Sequence, residues 1–488
     1  MFDSYSIEPF FDEMFDADGT PKRHYRKFRD LLEQFSEEEL REKHITAQLS
    51  FLRQGITFTV YNEESGSTER TMPFDFVPII IPPEEWEIIE KGMVQRVEAL
   101  NLFLDDVYKE QQILNDGVIP RHLIENNPYY YAKQVQGIDI PLNNHIFLAG
   151  VDLIRDEHGK YHVLEDNLRN PSGMSYVYQN RYVMRQIYPE LFGKYRIQTL
   201  EHQLSYLHEA VLDHAPATAP GGKNKKPFAV LLTPGTYNSA YYDHVFLAQQ
   251  MGMQLVEGRD LIVKDNVVYM KSTRGLKRVD IIYRRIDDDF LDPEAFREDS
   301  ELGVAGLMGA YRQGNVAILN GVGNGVADDK AIYAYVPEMI RYYLKEEPII
   351  ANVKTYMLDR EDEREYVLEH LEELVVKNVG ASGGYDMLIG PHASKELIET
   401  FRQKIIEQPN QYIAQPTLKL SRAPAYQGEE FYPAHVDLRV FVMRGKKSHV
   451  LPGGLSRVAL KKGSLVVNSS QGGGSKDTWV FKQERRDD

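Results

Sequence analysis

The sequence of 488 residues contains no cysteine. Disulfide bridges, zinc sites built from thiolates and thiol nucleophiles are therefore excluded. The chain also has no apolar run of the roughly 20 residues that a membrane-spanning helix requires. Its start, MFDSYSIEPFFDEMFD, is acidic and lacks the basic and apolar regions of a secretory signal. These absences predict a soluble, cytoplasmic protein that does not associate with a membrane.

An excess of positive charge is missing as well, because the formal net charge is −16. A protein that follows a nucleic-acid backbone needs a basic face, so we expect no nucleic-acid partner. A local cluster of lysines and arginines can still bind a small phosphate compound within an acidic protein. The composition, 42% hydrophobic and 27% charged, is typical of a globular chain, and its length predicts two or three lobes. The oligomeric state is not indicated.

Changes in pattern divide the chain into four segments. Residues 35–49 predict one helix in a mixed N-terminal region. A longer helix should follow Pro82 and Pro83, where apolar residues recur every three or four positions. After the Pro-, Gly- and Lys-rich stretch 215–227, alternating strand and helix patterns predict a parallel lobe. We expect an N-terminal extension (1–75), the first part of a main domain with a hairpin (76–214), a Rossmann-like lobe (227–320) and the rest of the main domain (321–480).

The segments HIFLAGVDLIR and KYHVLEDN predict a β-hairpin that turns near residues 156–159. Side chains alternate along a strand, so Glu165 and Asn167 share one face and Asp166 points the other way. A two-residue turn places Asp152 opposite Glu165, and a longer turn places it diagonally, on the same face in both cases. Two carboxylates and an amide on one face suit Mg²⁺. The alternative is a set of solvated charges near a turn.

Lys377 ends an apolar strand and precedes the glycine-rich stretch NVGASGG. Such a loop lets backbone N–H groups approach a phosphate chain, with a lysine beside it. A surface turn is the alternative reading. The stretch also matches Gly-x-Ser-x-Gly around Ser382, but the nucleophile elbow of hydrolases requires a helix directly after the serine. The following YDMLIGP does not predict one, so we interpret this match as accidental.

A third group of candidates consists of Lys330 and four arginines. Arg284 and Arg439 lie in apolar, strand-like segments, where a charged residue is seldom buried without a partner. The guanidinium fork matches phosphate and carboxylate groups, so anion recognition is one explanation. An internal ion pair is the other. The four arginines are Arg284, Arg285, Arg439 and Arg457.

Several blocks of the sequence resemble the circularly permuted ATP-grasp proteins of type 2. They include LEDNLRNPSGMSYV, VDIIYRRID, NGVGNGVADDKAIYAYVP, VVKNVGASGGYDM and LPGGLSRVAL, in that order. This family is related to glutathionylspermidine synthetase and to eukaryotic glutathione synthetase. The resemblance runs from about residue 73 to residue 479. It implies an α/β (α+β) ATP-grasp fold, with a Rossmann-like lobe between the metal-binding and the lysine-bearing lobes.

The resemblance also implies the roles of particular residues. Asp152, Glu165 and Asn167 would hold Mg²⁺. Lys330 and Lys377 would bind the phosphates of ATP, and Lys377 would also take part in catalysis.

Two arginines are expected to act on the reacting groups. Arg284 resembles an arginine that reaches the transferring phosphate or the substrate carboxylate, and Arg439 is a further candidate for such anion recognition. The loop over the phosphates and the adenine-binding hinge at residues 412–416 would supply Ser382, Gly383, Gly384, Tyr412 and Gln415.

The sequence departs from the synthetase pattern in two places. The relatives place an arginine two residues before the metal-binding aspartate, where this chain has Gly150. The spacing from Asp152 to Glu165 is also one residue longer. No amidase domain or glutathione pocket is recognisable, so the relatives' substrate does not carry over.

The implied activity is an ATP- and Mg²⁺-dependent ligase that joins a carboxylate to an amine through an acyl phosphate. Its substrates would be small molecules or peptides. One alternative is an ATP-binding regulatory or scaffold protein of the same fold that has lost ligase activity. The other is a serine hydrolase that uses Ser382.

Overall fold

The structure is a computed structural model. It describes residues 2, 5–7, 9–62, 66–219, 226–380, 386–428, 430–460, 467 and 473–483, which contain both helices and strands. The helices are α1 (Arg26–Leu32), α2 (Glu37–Arg53), α3 (Pro83–Tyr108), α4 (Gln112–Asn115), α5 (Arg121–Glu125), α6 (Ala132–Val135), α7 (Met174–Ile187), α8 (Pro189–Lys194), α9 (Gln203–Asp213), α10 (Tyr241–Met251), α11 (Asp288–Leu291), α12 (Leu307–Arg312), α13 (Lys330–Tyr333), α14 (Val336–Met339), α15 (Glu361–Glu369) and α16 (Lys395–Glu407). The strands are β1 (Thr57–Asn62), β2 (Gly66–Thr71), β3 (Phe74–Ile81), β4 (Leu148–Arg155), β5 (Tyr161–Asn167), β6 (Ala229–Leu232), β7 (Gln254–Val256), β8 (Leu261–Lys264), β9 (Val267–Ser272), β10 (Gly275–Arg278), β11 (Ile281–Arg284), β12 (Ala317–Leu319), β13 (Tyr356–Met357), β14 (Leu374–Asn378), β15 (Met387–Ile389), β16 (Tyr412–Pro416), β17 (Arg422–Tyr426), β18 (Phe431–Arg444), β19 (Ser448–Val450), β20 (Leu455–Val458) and β21 (Gly474–Val480).

An eight-stranded sheet forms the centre of the molecule. Its strand order is β3-β21-β20-β18-β4-β5, and β17 and β19 also pair with β18. Its strand pairs are antiparallel except β21 with β3, which run parallel. Strands β3 and β4 are buried along their whole length. Both faces of the main sheet are therefore covered along β3 and β4.

The helix α3 covers one face of the main sheet. It begins with proline at its first position. A backbone N–H there would have no intrahelical acceptor, so proline loses no hydrogen bond. Its apolar stripe is buried in one core cluster with Val151 and Leu153 of β4. The helix α7 packs on the opposite face, in a second cluster with Phe147 and Trp479. Neither α3 nor any other described helix is long and apolar enough to cross a membrane.

The N-terminal region belongs to this second core cluster. Phe28 of α1 is fully buried, and its ring packs edge-on against Trp479 and Tyr188, with centroids 6.0 and 5.8 Å away. The boundary expected at residue 75 falls inside β3, which pairs with β21. Residues 9–62 therefore contribute to the fold of the main domain.

The Rossmann-like lobe expected from the sequence is confirmed. Its four strands follow the order β12-β11-β6-β7 and all run parallel, and α10 connects β6 to β7. Ligands of open parallel sheets bind beyond the carboxyl ends of the strands. Here β6 and β11 end at Leu232 and Arg284. Residues 220–225 of the predicted linker lie outside the described residues.

A third sheet carries Lys377. It is antiparallel, with the order β13-β16-β14-β15, and it shares a separate small core with α15 and α16. The hairpin of β4 and β5 precedes the parallel lobe in the chain, and this lysine-bearing sheet follows it. The mixed α/β (α+β) architecture and the order of its lobes agree with the fold class expected from the sequence.

Replacing Phe28 by alanine tests whether the N-terminal region supports the core. The change removes a fully buried ring, so we expect the free energy of unfolding to fall by about 3–5 kcal/mol. Leu52→Ala on α2 is the control, because this side chain is 59% exposed and its loss should change the free energy by less than about 1 kcal/mol. Denaturant unfolding followed by circular dichroism measures both. Equally small effects would show that the region is only loosely attached.

Candidate active site

The pairing of β4 with β5 determines which acidic side chains share a face. Asp152 stands directly opposite Glu165, and Gly150 stands opposite Asn167. Nearer the turn the pairing is shifted by one residue, and a β-bulge beside Asp152 absorbs the shift. The bulge accounts for the extra residue between Asp152 and Glu165. The predicted shared face of Asp152, Glu165 and Asn167 is therefore present, although neither predicted register holds along the whole hairpin.

Asp152 is buried between two arginines of the main sheet. Its two oxygens accept hydrogen bonds from Arg439 at 2.7 and 2.9 Å, and Arg457 donates to one of them at 2.8 Å. Arg457 also donates to Asp437 at 2.8 Å, so two arginines and two aspartates balance in charge. Burial by itself raises the pKa of Asp152, but Arg439 and Arg457 outweigh it and lower this pKa to about 2. Asp152 is ionised, and both of its oxygens are engaged.

The side chain of Arg439 lies over Gly150. A Cβ atom at Gly150 would lie 3.4 Å from Cδ of Arg439 and 2.9 Å from Cβ of Pro171. A longer side chain at residue 150 would therefore meet both neighbours. An arginine reaches this position from β18, in a chain that lacks the arginine expected on β4.

Glu165 and Asn167 are less engaged than Asp152. The ammonium of Lys330 lies 3.3 Å from Glu165, whose side chain is 31% exposed. Asn167 has a buried side-chain nitrogen without a partner among the described residues. Carboxylate and amide oxygens suit Mg²⁺, which usually takes one or two carboxylates together with phosphate oxygens and water. Across the described part of the chain, His, Asp and Glu form no cluster of three that could hold a metal. A metal here would need ligands from a bound phosphate.

Lys377 approaches this site from the third sheet. Its ammonium donates to Gln415 of β16 at 2.8 Å, and Gln415 donates to Thr355 at 3.0 Å. Burial lowers the pKa of Lys377 to about 8; Glu165 opposes this shift and Lys330 adds to it. The two predicted lysines therefore lie within electrostatic reach of each other and of the hairpin acids.

The structure describes only some of the other residues that were predicted to bind the nucleotide. Tyr412 is buried at the start of β16, and its hydroxyl donates to Asp386 at 3.0 Å. Ser382, Gly383 and Gly384 lie outside the described residues. The chain that resumes at Asp386 continues into strand β15 and not into a helix. This geometry favours the interpretation of the Gly-x-Ser-x-Gly match as accidental.

Arg284 lies at the end of β11, in the interior of the parallel lobe. It donates at 2.7 to 3.0 Å to the backbone carbonyls of Ile286, Asn320 and Gly321, and it lies 3.1 Å from Asp288. Its side chain is fully buried. These partners favour a structural role over the phosphate contact that the resemblance implies. The alternative of an internal ion pair describes Arg284 better.

Asp166 faces away from the candidate site, as strand alternation predicts. Arg96 of α3 donates to its two oxygens at 2.7 and 2.6 Å, and both side chains are almost completely buried. Asp166 is therefore a buried structural partner of α3 rather than a solvent-facing neighbour of the predicted metal ligands.

A cavity of about 450 Å³ adjoins the candidate site. It lies between the loop after β5 and the carboxyl ends of β6 and β11, and Asn167 and Arg439 line it. Arg169 and Asp328, which the sequence motifs did not single out, pair at 2.7 Å in its wall. Arg169 follows Asn167 by two residues and Asp328 precedes Lys330 by two, and this proximity in sequence was the signal available.

These features are the ones expected of an ATP-grasp protein: acids on a central hairpin, two lysines from later elements and a cavity beside a parallel lobe. Residues 78–459 match the family described as circularly permuted ATP-grasp type 2. The chain belongs to this family.

Similar proteins cover nearly all of the chain. An uncharacterised protein of Synechocystis sp. is 52% identical over 480 residues, which are 98% of both chains. A Frankia alni protein, provisionally named a glutamate–cysteine ligase, is 40% identical over 471 residues, 96% of this chain and 54% of its own length. A glutathione synthetase-like effector from Globodera pallida, solved in the apo form, has a TM-score of 0.58 at 12% identity, over 92% of this chain and 98% of that one. This last similarity concerns the fold alone.

Replacing Asp166 by asparagine should destabilise the protein. The change leaves the buried guanidinium of Arg96 without its counter-charge, so we expect a loss of about 3–5 kcal/mol in the free energy of unfolding. Glu165→Gln, one residue away on the opposite face, should change it by no more than about 1 kcal/mol. Denaturant unfolding of the two variants gives the comparison. Two equally stable variants would contradict the assigned faces of β5.

The lowered pKa of Lys377 predicts a pH-dependent affinity for nucleotide. Between about pH 8 and the ordinary lysine pKa of 10.5, the folded protein without ligand binds fewer protons at Lys377 than the unfolded chain does. This residue's contribution to stability therefore grows as pH rises through that window. A bound phosphate favours the protonated lysine. We therefore expect the affinity for ATP to fall above pH 8, approaching tenfold per pH unit. Lys377→Arg, which stays charged, should remove this dependence. Titrations of both proteins with ATP from pH 7 to 10 measure the affinity. An equally flat profile in both would contradict a contact between Lys377 and the phosphates.

Proposed function

We propose that this protein is an ATP- and Mg²⁺-dependent ligase that joins a carboxylate to an amine. The observation that carries the proposal is the convergence of Lys330, Lys377 and Arg439 on the acids of one hairpin. Lys330 lies 3.3 Å from Glu165, and Arg439 lies 2.7 Å from Asp152. Three cations from separate elements around two carboxylates suit a bound polyphosphate and its metal better than they suit an interior ion pair.

Each residue of the cluster has a proposed task. Lys330 and Lys377 neutralise the phosphates of ATP, and Glu165 and Asn167 hold Mg²⁺ through their side-chain oxygens. When bound, Mg²⁺ supplies charge that stabilises the phosphates during transfer. Arg439 binds the transferring phosphate from the position over Gly150. That contact gives Arg439 a second anionic partner beside Asp152. Oδ1 of Asp152, which Arg457 does not contact, can then serve as a further metal ligand while Arg457 stays bonded to Oδ2.

Five further residues complete the proposed nucleotide site. Ser382, Gly383 and Gly384 close over the phosphates, and Tyr412 and Gln415 belong to the strand that forms the adenine-binding hinge. Gln415 also positions the ammonium of Lys377, to which it is bonded at 2.8 Å.

The chemistry proceeds by two substitutions. An oxygen of the substrate carboxylate attacks the γ-phosphorus of ATP, the bond to ADP breaks, and an acyl phosphate forms. The amine nitrogen then attacks the acyl carbon, phosphate leaves, and the nitrogen loses a proton to give an amide. The protein stabilises charge at each step, so no histidine-centred triad is needed. The name of the Frankia alni protein supports a ligase, although this chain spans only 54% of that protein.

A second candidate function is an ATP-binding regulatory or scaffold protein. The engagement of both oxygens of Asp152 by arginines favours it, because a metal site with one free carboxylate is weaker than one with two. ATP turnover separates the two functions. Substrate-dependent formation of ADP supports the ligase, whereas binding without turnover across a panel of amines and carboxylates supports the alternative.

Coupled binding of ATP and Mg²⁺ tests the proposed site itself. If both ligands share Glu165, Asn167 and the phosphates, each should strengthen the binding of the other. We expect ATP with Mg²⁺ to raise the melting temperature clearly more than ATP with a chelator. Glu165→Gln should remove most of this difference. Equal shifts with and without metal in the unaltered protein would overturn the metal site.

The lysines are tested by their effect on phosphoryl transfer. Lys330→Ala and Lys377→Ala should each slow ADP formation by roughly 10²–10³-fold, the usual effect of removing one preorganised charge. Lys395→Ala, an exposed lysine of α16, is the matched control and should leave the rate unchanged. A near-normal rate in either site variant, with a native circular dichroism spectrum, would remove that lysine from the mechanism.

A further inference from the structure

One buried amide of the parallel lobe reaches the hairpin that carries the candidate metal ligands. Asn320 directly follows β12, and it is only 1% exposed. It is the first residue of the NGVGNG stretch, which supplies none of the proposed ligands of ATP or Mg²⁺. The polar atoms of a buried amide are normally hydrogen-bonded, so the partners of Asn320 show which segments it joins.

The side chain of Asn320 binds the beginning of β4. Its Oδ1 accepts hydrogen bonds from the backbone N–H groups of Phe147 at 2.6 Å and Leu148 at 2.8 Å. Its Nδ2 donates to the carbonyl of Leu148 at 2.7 Å. Both backbone groups of Leu148 are therefore bonded to one side chain.

The same amide binds the chain that leaves β5. Its Nδ2 also donates to the carbonyls of Leu168 at 2.6 Å and Arg169 at 3.1 Å. An amide nitrogen has two hydrogens, so one of them is shared between carbonyls. The backbone pairing of β4 with β5 ends at Gly150 and Asn167. Asn320 thus continues the connection where the pairing stops, and it joins both strands at the open end of the hairpin.

The position of Asn167 depends on this connection. Asn167 immediately precedes Leu168, and its side-chain nitrogen is buried without a partner among the described residues. Asp328 accepts a hydrogen bond from the N–H of Leu168 at 3.1 Å, so both backbone groups of Leu168 are bonded. Mg²⁺ requires nearly ideal octahedral geometry with ligands at about 2.0–2.1 Å. A small displacement of this strand end would therefore weaken a metal that Asn167 binds.

The loop that carries the amide is itself held on two sides. Arg284 donates to the carbonyls of Asn320 at 2.9 Å and Gly321 at 3.0 Å. The N–H of Gly321 donates to the carbonyl of His145 at 2.9 Å. These contacts leave the loop little freedom to shift.

We propose that Asn320 is a positioning residue of the Mg²⁺ site, and that Arg284 supports it from the parallel lobe. Asn320 holds β4 and β5 at the spacing in which Asn167 can share a metal with Glu165 and the phosphates of ATP. It contacts neither the metal nor the nucleotide in this role. The inference rests on the proposed ligase function, and it gives the buried Arg284 a part in that function without a contact to phosphate.

The coupling between ATP and Mg²⁺ tests this role. Calorimetric titration of a non-hydrolysable ATP analogue gives one dissociation constant with Mg²⁺ and one with a chelator, and their ratio measures the coupling. Asn320→Ala should reduce this ratio by roughly 10–100-fold, the usual effect of losing a group that orients a metal ligand. The change should lie in the constant measured with Mg²⁺, because Asn320 contacts no nucleotide in the proposed site.

A second buried asparagine provides the matched control. Asn180 of α7 is also 1% exposed. It donates to the carbonyl of Lys476 at 3.1 Å and accepts from Ser475 at 3.0 Å, both on β21. Asn180→Ala should lower the melting temperature, as Asn320→Ala should, but it should leave the ratio within about twofold because it lies outside the hairpin contacts. The control separates a general loss of stability from displacement of the metal ligands.

Gly321→Ala provides a milder change that removes no hydrogen-bonding group of Asn320. The added Cβ would lie 3.1 Å from the carbonyl oxygen of His145, so the loop must shift by a few tenths of an ångström. We expect the ratio to fall by roughly threefold or more, since a misplacement of about 1 Å can cost about 100-fold. Gly193→Ala is its control, because a Cβ there meets nothing within 4 Å, and it should leave the ratio unchanged.

The outcomes separate this inference from the proposed function. A ratio near one in the unaltered protein means that ATP and Mg²⁺ do not share a site, which overturns the proposed function and the inference with it. A clear ratio that Asn320→Ala leaves unchanged overturns the inference alone, and so does an equal fall in Asn180→Ala. If Asn320→Ala does not fold, Gly321→Ala decides in its place, and a ratio equal to that of Gly193→Ala overturns the inference.

Discussion

The pairing of Asp152 with Arg439 and Arg457 is the interaction on which the candidate site depends. It joins β4, β18 and β20 through residues as much as 305 positions apart in the chain. A carboxylate buried with two guanidinium groups is stable only while its partners remain, because loss of one leaves an uncompensated charge in the interior. The network therefore holds these strands in one register. The pairing of β4 with β5 in turn places Glu165 directly opposite Asp152.

The charged residues around this network come from different lobes of the protein. The acids lie on the hairpin of the main sheet, whereas Lys330 comes from α13 and Lys377 from the third sheet. The cavity adjoins the same hairpin at Asn167, borders Arg439, and lies against the carboxyl ends of β6 and β11.

Patterns of short range predicted much of this arrangement. Strand alternation separated Asp166 from Glu165 and Asn167, and the structure places Asp166 against Arg96 on the opposite face. Alternating strands and helices predicted the parallel lobe, which has four parallel strands. Arg284 shows how far such reasoning reaches. An apolar strand around a charged residue indicates a partner, but it does not say whether the partner is a ligand or, as here, three backbone carbonyls.

The sequence by itself determined the family, the class of fold, the face of each hairpin residue and the two lysines worth testing. These depend on motifs and on the period of side chains along one element, which are local properties. The tertiary structure decided that Arg439 lies over Gly150, that residues 9–62 contribute to the core, and that Asn167, Arg439 and Asp287 line one cavity. Those relations depend on which distant segments pack together. Burial, charge pairing and the loss of water act between side chains in space, and the order of residues along the chain does not contain those distances.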